Sequence, residues 1–273
     1  MTTTDTERPS TEPDKLPRVR QISMDAPWDW LAAGWRDVWS SNSTSLVYGL
    51  AFAVISSAFA LTITALNLSS LILALASGLI LIGPILAVGL YDISRRLEAG
   101  EPVRLKQIFR VRTRAPAQLM FLGVILMIAF LVWVRVATLL FALFFGLHGF
   151  PPLAQFVDEL FFTARGLALL TVGSAIGAVL ALIVFAISAV SVPLLMVRNV
   201  DAVTAMLLSI EAVRKNLGPM ILWAWLIMLM MGFGLVTLFA GLVITFPLVG
   251  HATWHAFRAI IDTDGDDPED YSI

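Results

Sequence analysis

Residues 45–66, 71–90, 117–134, 166–197 and 220–250 contain no acidic residue and no lysine or arginine. An α-helix needs roughly 20 apolar residues to cross a bilayer, and these runs reach or approach that length. No other feature constrains the fold as tightly. Runs of this length read as membrane-spanning helices. Composition agrees: 14% of residues are charged, where soluble domains carry roughly 25%, and the mean hydropathy is +0.85. The expected fold class is an all-α, polytopic transmembrane helical bundle.

Residues 1–21 are polar and proline-containing and read as a disordered cytoplasmic tail rather than a cleavable signal peptide. Residues 22–260 form the membrane domain, and the acidic stretch 261–273 reads as a second disordered cytoplasmic tail. Spans are expected near 45–66, 70–91, 116–135 and 166–192, with an uncharged turn at 67–70 between the first two. The segment between spans two and three carries Arg95, Arg96, Arg104, Lys106, Arg110, Arg112 and Arg114. By the positive-inside rule it is cytoplasmic, and so is the N-terminal tail. Arg135 falls about 28 Å along a helix from Pro116, near one bilayer thickness. It is expected to snorkel at the outer surface, with the residues beyond it lying along that surface. The last apolar stretch fits one long span or two short ones (219–233 and 234–256) turning at Met231–Gly234, so hydropathy alone allows five spans or six.

A weak internal repeat favours six. "WLAAGWRDVWSSNSTSLVYG", "LKQIFRVRTRAPAQLMFLG" and "TAMLLSIEAVRKNLGPMILWAW" each place an amphipathic segment before an apolar helix. Pro84, Pro193 and Pro247 then recur near the inner ends of the following regions. Three units of interfacial helix plus helical hairpin give six spans with both ends cytoplasmic. All lysines and arginines except Arg135 and Arg165 then lie on that side. Trp28, Trp35 and Trp39, with Leu31, fall on one helical stripe and read as interfacial anchors, with Asp29, Arg36 and Asp37 pointing elsewhere. Gly173 and Gly177 have the small-xxx-small spacing that lets helices pack closely, here within the chain. The prolines read as kinks, although transporters use such breaks as binding sites.

Chemistry is sparse. With no cysteine, disulfides and thiolate metal sites are excluded. His251 and His255 stand four apart and share a helix face, a spacing that can offer imidazoles to a metal or haem. His148 falls on the opposite side, and Asp92 and Tyr91 are the nearest further ligands expected. Without a third strong ligand the pair reads as hydrogen-bonding residues at a polar helix end around Trp254, and no cofactor is expected. No phosphate loop, HExxH motif or nucleophile elbow occurs, and the spans hold no acids for proton coupling. The basic loop suits topology and anionic lipid better than nucleic acid.

"PWDWLAAGWRD", "LIGPILAVGLYDISRRLEAGEPV", "AISAVSVPLLM", "AVRKNLGPMILWA" and "FPLVGHATWHAFR" together resemble a family of predicted bacterial integral membrane proteins, a domain of unknown function. The resemblance covers about residues 22–260. It implies an inner-membrane location and carries over no catalytic residue. Some members bear a cytochrome c oxidase subunit label. Three histidines on two sides of a membrane cannot supply the haem and copper ligands of a catalytic oxidase subunit. The expected function is that of a non-enzymatic accessory, assembly or envelope-organising factor. Its partners would be the lipid bilayer and a respiratory or envelope complex. A small-solute or lipid transporter and a metal- or haem-binding membrane protein are the alternatives.

Overall fold

The computed structural model describes residues 17–66, 72–105, 111–146 and 153–262. The expected turn at 67–70, His148 and most of both tails fall outside them. A two-residue strand β1 (Arg18–Val19) leads to α1 (Ala26–Ser40), α2 (Thr44–Ala65), α3 (Ile72–Leu86) and α4 (Val88–Glu98). These are followed by α5 (Pro116–Phe145), α6 (Leu153–Phe162), α7 (Ala164–Ser188), α8 (Ser191–Val197), α9 (Ala202–Lys215), α10 (Leu217–Val236), α11 (Leu242–Ile260) and β2 (Ile261–Asp262). The all-α expectation holds. Among the described residues five helical segments are long and apolar enough to cross a membrane: Thr44–Ala65, Ala74–Glu98, Pro116–Phe145, Ala164–Val197 and Leu217–Val236. Their outward faces are large and apolar, as at Leu61, Met120 and Leu182, which is the pattern of helices solvated by lipid.

β1 pairs antiparallel with β2, Arg18 opposite Asp262 and Val19 opposite Ile261. Asn216 reinforces this closure by accepting from the Ile22 backbone N–H and donating to the Arg20 carbonyl. The main core lies around this end and includes Leu90, Leu194, Met196, Trp223, Trp254, Phe257 and Ile260. A smaller cluster of Leu81, Leu126, Trp133 and Val184 joins α3, α5 and α7. Phe141, Phe156 and Leu160 close the far end between α5, α6 and α7.

Several local expectations change. α5 continues unbroken past Arg135 to Phe145, about 45 Å at the usual rise. The residues beyond Arg135 therefore do not form a separate surface segment: Phe141 and Phe145 stack on each other and meet Phe156 of α6. α10 runs through Met231–Gly234, and the reversal comes at Thr237–Gly241, where Leu238 and Phe239 adopt left-handed backbone angles. The second repeat unit has no surface helix among the described residues. Residues 111–115 are irregular instead, and the Arg114 and Ala115 N–H groups bond to the Met196 and Leu195 carbonyls.

The three prolines differ. Pro193 sits in the first turn of α8, where a missing N–H costs nothing. Pro84 and Pro247 lie inside α3 and α11, so each frees the carbonyl four residues earlier. For Pro247 that carbonyl belongs to Val243, and it abuts Gly49, where a Cβ would come within 2.2 Å of the oxygen. For Pro84 it belongs to Ile80, on the wall of a cleft.

Candidate functional site: a sealed histidine clamp and an apolar cleft

α11 is approached unusually closely by two neighbours. A Cβ on Gly34 of α1 would fall 2.7 Å from the Ala252 nitrogen, and Gly49 of α2 abuts Val243 and Pro247. That proximity brings short polar side chains of α1, α2 and α4 within reach of the two histidines. His251 is wholly buried. Its Nε2 lies 2.7 Å from Ser45 Oγ and its Nδ1 2.7 Å from Ser94 Oγ. The Ser94 hydroxyl donates to Asp37 Oδ2 at 2.6 Å.

A serine has one proton to donate and a carboxylate only accepts. With the Ser94 proton committed to Asp37, His251 must donate from Nδ1 to Ser94. The Nε2 of the neutral ring then accepts from Ser45. His255 Nε2 donates to the same Asp37 oxygen at 2.8 Å. His255 Nδ1 lies 3.8 Å from Glu98 Oε1, and Arg258 Nε lies 3.5 Å from Glu98 Oε2. The chain Ser45–His251–Ser94–Asp37–His255 thus fastens α2, α11, α4 and α1 to one another.

The two histidines hydrogen-bond, as read from the sequence, but their partners lie on neighbouring helices and His251 has no exposure at all. Asp92 is not a companion ligand. It pairs with Arg95 and, at 2.8 Å, with Arg96, which also reaches Glu101 at 3.0 Å. Among the described residues no group of three or more His, Cys, Asp or Glu is arranged so that it could hold a metal ion. The Ser45–His251 contact has the look of a nucleophile and its base, but Ser45 is itself wholly buried.

The second feature is a cleft of about 240 Å³ between α2, α3, α7, α10 and α11, lined almost wholly by apolar atoms. Tyr91, Ser188, Ala189, Trp223 and Thr253 form a buried floor, while Ile80 and Met228 at the rim are exposed. The cleft exists because α3 packs chiefly on α5, and α10 on α11, leaving α3 and α10 apart. Gly83 and Gly232 line it, and a Cβ added to either would meet nothing within 4 Å. The Ile80 carbonyl freed by Pro84 belongs to the same wall.

The other predicted residues are scattered around these features. Trp28, Trp35 and Trp39 are exposed on α1, whose opposite face buries Trp30, Gly34 and Val38. Arg135 is exposed on α5. Gly177 seats the Trp133 ring, with 2.8 Å left for a Cβ, whereas Gly173 has only Leu140 at 4.0 Å. Sequence reasoning missed Ser45 and Ser94, and it placed Asp37 off the tryptophan stripe of α1 without finding its partners. Gly83 was read only as part of a break with Pro84 and Gly232 only as part of a turn at 231–234, because a glycine in an apolar helix gives no sign of what it faces.

Residues 71–196, from the start of α3 to the end of α8, match the family model described as Predicted integral membrane protein (DUF2189). With its apolar helices, the chain is an integral membrane protein, as the resemblance in its sequence implied. The matched region holds Pro84, Pro193, Ser94 and Gly83 but neither His251 nor His255. No curated protein and no solved structure matches the chain.

Proposed function

We propose that this is a non-enzymatic, lipid-handling protein of the bacterial inner membrane, crossing it six times with both tails cytoplasmic. It would serve the envelope as an accessory factor by holding a lipid in the cleft between α3, α7, α10 and α11. The cleft is the observation that carries this reading. It is apolar, and it opens at Ile80 and Met228 on helix faces that are otherwise lipid-facing. The Ser188 and Thr253 hydroxyls on its floor already donate to the Val184 and Val249 carbonyls, so the cleft presents hydrocarbon, and ligand sites are concave and mostly apolar.

Six crossings are supported by the β1–β2 pairing, which brings residues 18–19 and 261–262 together and so favours an even number. α11 supplies the sixth, its His, Thr and Arg residues lowering the hydropathy of its second half. The arginines and lysine of the segment after α4 favour a cytoplasmic location for that end. The sealing of Ser45 and His251 supports a role other than catalysis.

Purification in mild detergent, exchange into fresh detergent, and quantification of extracted phospholipid test the reading. About one lipid per chain should survive an exchange that strips the annular lipid. A folded chain retaining none would overturn it.

A further inference from the structure

The size and glycine lining of the cleft narrow what can occupy it. About 240 Å³ is far more than the roughly 10–15 Å³ that admits a single water. It is also below the roughly 300–1,000 Å³ of pockets that enclose whole drug-sized ligands. A complete two-chain lipid is therefore excluded, while a segment of one chain fits. Polar atoms are few along the wall, so the headgroup would remain outside.

Entry is set by the rim. Ile80 on α3 and Met228 on α10 are 36% and 45% exposed, whereas Trp223, Tyr91 and Ser188 behind them are almost fully buried. The passage thus runs from lipid inward between α3 and α10. Along it Gly83 stands on α3 and Gly232 on α10, each with open space where a side chain would be. In a helix interior glycine costs about 0.8–1.0 kcal/mol relative to alanine, and neither glycine is required here by a close neighbour, unlike Gly34, Gly49 or Gly177. Both have φ values outside the left-handed region, so turn geometry does not require them either.

We infer that Gly83 and Gly232 are specificity-determining residues that hold the cleft open for a single hydrocarbon chain of a membrane lipid, admitted laterally between α3 and α10. This inference rests on the lipid-handling reading. Larger side chains at the two positions would fill the cleft from both walls and leave the fold in place, since leucine is the better helix former.

The test uses full-length protein in vesicles of phosphatidylethanolamine and phosphatidylglycerol doped with a phosphatidylcholine carrying a diazirine on one acyl chain. Adducts are mapped by mass spectrometry after photolysis. In the wild type, Met231 and Phe185 inside the cleft should be labelled alongside lipid-exposed Val54 and Leu131. In the double variant Gly83→Leu/Gly232→Leu, the interior adducts should fall about tenfold, in keeping with the cost of overfilling a packed space. The Val54 and Leu131 adducts should persist and report an intact fold. Unlabelled interior residues in the wild type would overturn the lipid-handling reading itself. Interior labelling that survives the double substitution would overturn the role of the glycines and leave that reading standing.

Discussion

Ser94 is the residue on which the histidine clamp depends, because it accepts from His251 while donating to Asp37. Ser94→Ala leaves a buried ring N–H without its acceptor and a carboxylate without one of its donors. Leaving a buried group unsatisfied costs about 1–3 kcal/mol, so Ser94→Ala should lose at least that much stability in denaturant titrations of the micellar protein. Ser45→Ala removes a single donor and should cost less. Equal losses would mean that Ser94 does not bridge. The histidines were visible in the sequence because a four-residue spacing needs only helix geometry to be read. Their partners were not, since Asp37, Ser45 and Ser94 come from three other helices and nothing local marks them. The tryptophans at 28, 35 and 39 drew attention to the outer face of α1. Its working face toward α11 is the less conspicuous side of Trp30, Gly34, Asp37 and Val38.

At the scale of elements, the α5–α7 contact turns on Trp133, whose indole N–H donates to the Ala74 carbonyl at 2.8 Å and whose ring lies against Gly177. Gly177→Val should cost about 1–3 kcal/mol by overpacking. Gly173→Ala, with its nearest neighbour 4.0 Å away, should be neutral or stabilising by up to about 1 kcal/mol through helix propensity. The same denaturant titrations compare them, and equal effects would contradict the packing described. The small-residue spacing was legible in the sequence, but which glycine bears the contact depends on where Trp133 lands.

α9 is capped by Asp201, which accepts from the Thr204 N–H at 2.9 Å and from its hydroxyl at 2.6 Å. These bonds, the hydroxyl first, hold the Asp201 carboxyl below its usual pKa. A lowered folded pKa means the cap stabilises α9 above the unfolded pKa and loses that contribution as pH falls through the folded one. The hydrogen-exchange protection factor of the first turn of α9, which corrects for the intrinsic slowing of amide exchange in acid, should therefore fall as pH drops through the folded pKa. Asp201→Ala should show low protection already at neutral pH with little further change in it, whereas a variant that kept the wild-type profile would refute the cap.

At the scale of the molecule, five segments among the described residues are long and apolar enough to cross a membrane, and the sixth crossing we propose is α11. α11 devotes its second half to the clamp, and the polar residues there lower its hydropathy. The chain has no cysteine, which makes single-cysteine variants clean reporters. An impermeant maleimide should label Ala240→Cys, in the α10–α11 turn, from outside intact cells, and Arg18→Cys only after permeabilisation. Labelling of both from one side would contradict six crossings. The cleft itself was not legible, because it arises where α3 and α10 fail to meet. The measurement that tests the central claim most directly is a nitroxide on Met231→Cys in vesicles, relaxed by oxygen or by a water-soluble nickel chelate. A cleft filled by a lipid chain predicts strong relaxation by oxygen and little by the chelate. Dominant relaxation by the chelate would mean a water-filled path, contradicting the lipid-handling account and favouring a solute transporter.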